Sequence, residues 1–202
     1  MKIGEIKRQS LLLIFPEIEA RFDSESAESV NEGIAALKCD PSIRSYLEAA
    51  MPSINRALCE IENAGATKTK HTTVAFGGSG MLDLSEMVDD LLHVLCIYQN
   101  GKAVSYSERD TRILLGGAIA GEIEIVYKSR VEKVRFTTEE ATEIDLDFGV
   151  ASLIPYFVAS ELCEAENGER AASLRKKFLD GLIKYNKENI AAPSEVEAVY
   201  SW

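Results

Sequence analysis

The spacing of apolar residues changes twice along this chain, and this change constrains the fold more strongly than any other feature. Up to about residue 70, apolar side chains recur at steps of three and four, which predicts amphipathic helices. Between about residues 71 and 136 the pattern alternates, which predicts strands. Helical spacing returns from about residue 150 to residue 187. The order along the chain is therefore helices, strands, helices.

Two amphipathic helices are predicted before the first change of spacing. The first covers residues 3–14, and the second begins at Asp40 and Pro41. An aspartate can cap a helix N-terminus, and a proline in the first turn costs no backbone hydrogen bond. Gly65 is predicted to end the second helix. Because Pro52 lies inside this helix, we expect a kink or two abutting helices.

The alternating region predicts an antiparallel sheet of short strands. Asn100 and Gly101 give the strongest hairpin signal, because both residue types accept the positive φ angles of a type I′ turn. The predicted strands are residues 71–76, 92–99, 102–106, 112–115, 122–127 and 131–136.

Carboxylates dominate the connector at residues 137–148, after which helical spacing resumes. The predicted C-terminal helices cover residues 150–163, with a kink at Pro155, and residues 169–187. We therefore predict an α+β fold: a helical bundle from N- and C-terminal helices with an inserted antiparallel β lobe. The predicted boundaries are residues 1–70 and 147–188 for the bundle, 71–146 for the lobe, and 189–202 for an extended C-terminal tail.

The formal net charge of −11 bears on which ligands the chain can bind. An acidic surface repels phosphate backbones, so sequence-specific binding of DNA or RNA is not expected. The same charge would let a polyanion pass without binding, although simple solubility explains it as well. No run of about 18 apolar residues is present, so no membrane span is predicted. The short apolar run at residues 11–15 fits the end of a helix better than a signal peptide.

Motifs that carry chemistry are absent or weak. The four cysteines and two histidines do not have zinc-ligand spacing. The glycine-rich stretches at residues 76–80 and 116–121 lack the lysine and the following helix of a phosphate-binding loop. Acidic clusters at residues 83–90 and 139–147 lack EF-hand spacing, and a solvated face is the commoner use of such clusters. The sequence predicts no catalytic residue, no cofactor and no metal.

The acidic connector and the aromatic end of the tail are the candidate interfaces. Aromatic residues anchor many protein–protein contacts, although a disordered terminus is an equally good interpretation of the tail. Two other readings stay open at this point. One is a non-catalytic ligand- or metal-binding module that uses the acidic loops, and the other is an enzyme with a site assembled from distant residues. The interface candidates are Glu139, Glu140, Glu143, Asp145, Asp147, Tyr200 and Trp202.

Four segments, taken together and in order, resemble a known family. They are IGEIK with LLLIF at residues 3–15, YL through SINRAL with EIE at residues 46–62, EIEIVY and the following acidic link at residues 122–146, and LIPYFVASEL followed by RAA, Arg175 and Phe178 at residues 153–178. These segments resemble the head–tail connector (adaptor) or neck proteins of tailed bacteriophages. The chain departs from the family pattern at residues 17–38 and 77–80, which leaves its place in the neck or tail open.

The resemblance implies a structural virion protein of a phage or prophage that forms a homo-oligomeric ring between the portal and the tail. Its implied partners are the portal protein and the tail or stopper proteins, with DNA passing through the ring rather than binding. The implied location is the host cytoplasm during assembly and the virion neck or tail afterwards. The resemblance supplies no catalytic residues. Within it, Pro52, Asn55 and Arg56 are predicted to shape the long helix.

Overall fold

The chain forms a helical unit and a β unit. The computed structural model describes residues 1–21, 33–35, 37–78, 81–84, 88–109, 112–116 and 119–190. The helical unit comprises Met1–Ala66 and Lys133–Trp202, and the β unit comprises Thr67–Glu132. The predicted α+β class, with helices from both ends of the chain and antiparallel strands between them, is confirmed.

The helical unit is built around one short central helix. Helix α4 packs against α1, α2 and α5, so elements from both ends of the chain share one core. Phe157 of α4 and Phe178 of α5 are fully buried, with ring centroids 5.0 Å apart in an edge-to-face arrangement. The helices are α1 (Ile3–Ile14), α2 (Pro41–Asn63), α3 (Phe148–Ala151), α4 (Ile154–Cys163) and α5 (Gly168–Ile190), with a 3-10 turn at Pro16–Arg21.

The two ends of α2 are set by the predicted residues. The Asp40 side chain accepts a hydrogen bond from the backbone N–H of Ser42 at 3.0 Å, which caps the first turn. At the other end Gly65 adopts a φ of 67°, and the N–H of Ala66 bonds to the carbonyl of Ile61 at 3.0 Å. This is a glycine C-terminal cap, because the left-handed conformation turns the next amide back onto the helix. Between these caps, α2 is one continuous helix rather than two abutting ones.

The β unit consists of two antiparallel sheets on a common core. One sheet has the order β1-β7-β3-β4, and the other has the order β2-β6-β5. Their shared core includes Ile97, Ile113 and Ile123, and the Tyr106 hydroxyl donates to the carbonyl of Val94 at 3.1 Å. The strands are β1 (Thr69–Phe76), β2 (Met81–Asp83), β3 (Leu91–Gln99), β4 (Lys102–Ala103), β5 (Tyr106–Arg109), β6 (Arg112–Leu115) and β7 (Gly121–Ser129).

The hairpin at Asn100 and Gly101 is confirmed, with φ angles of 51° and 74°. The predicted return strand at residues 102–106 is too long, however. Only Lys102–Ala103 pairs with β3, and Tyr106 begins a strand of the second sheet, where it pairs with Leu115. The chain therefore changes sheets directly after the hairpin.

Three predictions about the return to the helical unit need correction. Residues 131–136 form no strand, because the backbone of Val134 bonds to a helix side chain. The predicted helix at residues 150–163 is two helices, α3 and α4, and the break at Ser152–Leu153 leaves Pro155 in the first turn of α4, where a proline is favoured. The β unit covers Thr67–Glu132 rather than residues 71–146, because the acidic connector bonds to α1 and so belongs to the helical unit.

Asn55 of α2 holds the segment that returns from the β unit. Its Nδ2 donates to the carbonyl of Val134 at 2.8 Å, and its Oδ1 accepts from the Val134 N–H at 2.8 Å. One side chain thus satisfies both polar groups of a backbone position that is 79 residues away. Nearby, the Nε of Arg56 lies 2.9 Å from both carboxylate oxygens of Glu161 in α4. Among Pro52, Asn55 and Arg56, the last two therefore fasten α2 to other elements.

Among the helices in the described part of the chain, none combines the length and the apolar character needed to cross a bilayer.

We expect Asn55→Ala to lower the free energy of unfolding by about 2–3 kcal/mol, because it leaves both partly buried backbone groups of Val134 without a partner. Urea denaturation followed by circular dichroism measures this. Asn63→Ala, at an exposed position near the end of the same helix, is the control and should change stability by less than about 0.5 kcal/mol. Equal effects of the two substitutions would contradict the role assigned to Asn55.

Candidate interaction surface

The acidic connector lies against the start of α1 and caps it. The N–H of Ile3 donates to the carbonyl of Thr142 at 3.0 Å, and the N–H of Gly4 donates to the carbonyl of Glu140 at 2.9 Å. The N–H of Ile144 in turn donates to the carbonyl of Met1 at 3.1 Å. Amides in the first turn of a helix have no partner within that helix, so connector carbonyls supply what a capping side chain would. The connector is therefore a structural part of the helical unit.

A nearly buried ion pair reinforces this contact. The Nζ of Lys7 in α1 lies 2.7 Å from Oε1 of Glu140, and only 6% of the Lys7 side chain is exposed. A charge removed from water needs a partner, and Glu140 provides it. Lys38 approaches the same oxygen at 3.9 Å. The other oxygen of Glu140 is buried and has no hydrogen-bond donor within the described residues.

Asp147, at the other end of the connector, binds to α5. Its carboxylate accepts a hydrogen bond from the Tyr185 hydroxyl at 2.5 Å. Partial burial, together with this hydrogen bond and the charge of Asp147, raises the pKa of Tyr185 to about 12. Asp147 therefore helps to hold α5 against the end of the connector.

The five connector carboxylates do not share one role. Glu140 and Asp147 bind within the helical unit, Glu139 and Glu143 lie exposed, and Asp145 is exposed but makes an interaction of its own. All five were predicted as interface residues. At least two of them serve the fold of this chain, which leaves fewer ligands for a cation in the connector. The other two candidates, Tyr200 and Trp202, lie outside the described residues.

Two aromatic side chains flank the connector and are almost fully exposed. Phe136 precedes it with 80% of its surface exposed, and Phe148 follows it with 77% exposed. Large exposed aromatics beside charged groups are typical of protein–protein interfaces. Sequence reasoning missed both residues, since it placed Phe136 in a strand and Phe148 at the end of the acidic connector without assigning either a role. Their position directly beside the acidic run was the available signal.

A cleft of 310 Å³ opens beside Phe136. Its apolar wall is formed by the buried side chains of Leu47 and Met51 in α2. The Nε of Arg44 lies 2.8 Å from Oε1 of Glu48, one turn further along the same helix. The cleft therefore combines an apolar wall, a cationic rim and an exposed aromatic ring. Its lining residues are Lys7, Lys38, Arg44, Leu47, Glu48, Met51, Phe136, Thr138 and Glu140.

The groups that could carry other chemistry are dispersed. Within the described residues, no three His, Cys, Asp or Glu side chains come close enough to share a metal ion. His71 Nδ1 lies 2.9 Å from Oε1 of Glu124 on an exposed face of the β unit, as a surface hydrogen-bonded pair. The four cysteines are free thiols, and burial raises the pKa of the Cys163 thiol. None of these groups is among the residues that line the cleft.

Comparisons with known protein families and with curated protein sequences found no match to this chain.

We expect Glu140→Gln to lower the free energy of unfolding by about 2 kcal/mol or more, because it leaves the charge of Lys7 buried and uncompensated. Glu139→Gln removes the same charge from the neighbouring exposed position and should have little effect. Chemical denaturation of both variants measures the difference. Similar stabilities would contradict the structural role of Glu140.

We expect Tyr185→Phe to cost about 1 kcal/mol of stability at neutral pH, through loss of the bond to Asp147. Because the pKa of Tyr185 is raised in the folded chain, its contribution is present in full below the ordinary tyrosine pKa of 10.0 and declines as pH rises toward about 12. The difference in unfolding free energy between the unsubstituted chain and Tyr185→Phe should therefore be constant from neutral pH to pH 10.0 and should become smaller above pH 10.0. Glu143→Gln, at an exposed connector position, is the control. A difference that grew with pH would contradict this assignment.

Proposed function

We propose that this chain is a structural virion protein, a ring-forming adaptor between the portal and the tail of a tailed phage or prophage. The observation that carries the proposal is the pair of exposed aromatics, Phe136 and Phe148, at the two ends of the acidic connector. An apolar surface of this kind is stabilised when another protein covers it. In a ring, each subunit would bury this surface against its neighbour.

The resemblance to connector proteins supports the proposal because of where its segments lie. Residues 3–14 form α1, residues 46–62 belong to α2, and residues 153–178 include α4 and the first half of α5. Residues 122–127 lie in β7, which pairs with strands on both sides. Apart from the acidic link, the resembling segments therefore belong mainly to the packed helices and strands of the two units.

The β unit offers a second surface, which suits a different partner. Met81 and Leu114 lie opposite each other in the register of β2 and β6, and about half of each side chain is exposed. Neighbours across a strand pair share one face of the sheet, so the two side chains form one apolar patch. We assign this patch to the portal or to a tail or stopper protein, and the surface around the connector to the ring itself.

The charge of the chain fits the passage of DNA. With a net charge of −11, a ring of this protein repels the phosphate backbone and lets it slide without binding. The protein would occupy the host cytoplasm during assembly and the virion neck or tail afterwards.

Quantitative mass spectrometry of purified phage particles tests the proposal. We expect the chain in the particles at a fixed, ring-like ratio to the portal protein. The double variant Phe136→Asp with Phe148→Asp should remain folded, since both side chains are exposed, yet be lost from particles because it places charge in the subunit contact. Lys176→Asp, at an exposed position of α5, is the control. Particles that form normally without this chain would overturn the proposal.

A further inference from the structure

We propose that the cleft beside Phe136 binds residues 191–202 of a second copy of this chain. This inference rests on the proposed ring and names the contact that would join one subunit to the next. Two features support it: the charge of the cleft and the composition of the segment that follows α5.

The cleft is cationic within an acidic protein. Lys7, Lys38 and Arg44 face it together with two carboxylates, Glu48 and Glu140, which leaves a local excess of one positive charge in a chain of net charge −11. Lys7 is buried against Glu140, whereas 55% of the Lys38 side chain and 66% of the Arg44 side chain are exposed. The two exposed cations therefore form a rim that an acidic segment can reach.

Residues 191–202 have the complementary composition. The segment AAPSEVEAVYSW carries two glutamates and no lysine or arginine. In an extended conformation, alternate residues lie on opposite sides. Val196, Tyr200 and Trp202 would then share one side, toward Phe136 and the apolar wall. Glu195 and Glu197 would share the other, toward the rim cations.

The cleft and the end of α5 lie toward opposite ends of α2. Asn186 of α5 donates to the carbonyl of Ala64 at 2.8 Å, which places the last turns of α5 beside the C-terminal end of α2. The cleft uses Arg44 and Met51 in the first half of α2. At a rise of 1.5 Å per residue, Met51 lies about 20 Å along the helix from Ala64. Helix α5 therefore ends near one end of α2, and the cleft lies toward the other. Twelve residues span up to about 40 Å when extended, so the segment after α5 is long enough to reach a cleft. The choice of a second copy rests on the proposed ring, in which a heterologous contact joins each subunit to the next.

Photo-cross-linking of the full chain tests this contact directly. A photoreactive phenylalanine analogue replaces Trp202, and isotopically heavy and light chains are mixed before irradiation. We expect cross-links from the tail of one isotope to cleft peptides of the other, which contain Phe136 or residues 44–51. Cross-links confined to a single chain, cross-links to other surfaces, or the absence of cross-links between chains would overturn the proposal.

Charge reversal provides a matched second test. Lys38→Glu with Arg44→Glu should reduce cross-linking between chains by about tenfold or more, since it places like charges together. Adding Glu195→Lys and Glu197→Lys to this cleft variant gives a fourfold variant, in which cross-linking between chains should be restored. Lys176→Glu with Lys184→Glu on exposed positions of α5 is the control for net charge and should leave the yield unchanged. Circular dichroism checks that both variants are folded. Failure of the folded fourfold variant to recover cross-linking would contradict the proposal.

The two proposals fail in distinguishable ways. If the particles contain the chain at a ring-like ratio but residues 191–202 cross-link to another surface, the cleft contact is refuted and the adaptor proposal stands. If residues 191–202 cross-link to the cleft but the chain is absent from phage particles, the cleft contact stands and the adaptor proposal is refuted.

Discussion

The paired hydrogen bonds between Asn55 and Val134 are the interaction on which the helical unit depends most. The chain leaves this unit at Ala66, forms the whole β unit and returns at Lys133. Directly after its return, the chain is hydrogen-bonded to the middle of α2. There the Asn55 side chain bonds to both the N–H and the carbonyl of Val134, as a paired strand would. The connector that follows can then lie along α1, cap its first turn and place Glu140 beside Lys7. The C-terminal helices start from a position that these contacts define.

The features that sequence predicted well are those with local causes. Asp40 caps α2 and Gly65 ends it because each effect involves residues within a turn or two. Asn100 and Gly101 form their hairpin turn for the same reason. The amphipathic stripe of α5 predicted its buried face at Leu174, Phe178 and Leu182.

The features that sequence missed depend on distant partners. Residues 131–136 looked like a strand, but nothing in that segment shows that an asparagine 79 residues earlier would take the place of a paired strand. The division between Glu140 and Asp147, which bind internally, and Glu139, which is exposed, is likewise invisible in a run of similar acids. Phe136 and Phe148 were missed because exposure is a tertiary property. Their exposed side chains, rather than the acids alone, are the reason we propose an interaction surface beside the connector.

The net charge of the whole chain and the charge of the cleft have opposite signs. In the proposed ring, the overall excess of carboxylates would repel a polyanion, while the cations beside Phe136 would form a local exception. Residues 191–202, which carry two glutamates and several apolar side chains, have a composition complementary to this cleft. On this account, subunits of one sequence can repel DNA and still attract each other, because the attraction is confined to one cleft and the aromatic side chain beside it.

Electron cryo-microscopy of intact phage particles tests the central claim most directly. The account predicts a ring of this chain between portal and tail, with Phe136 and Phe148 covered by the adjacent subunit. A neck assembled entirely from other proteins would contradict it, as would a ring in which both aromatic side chains face solvent.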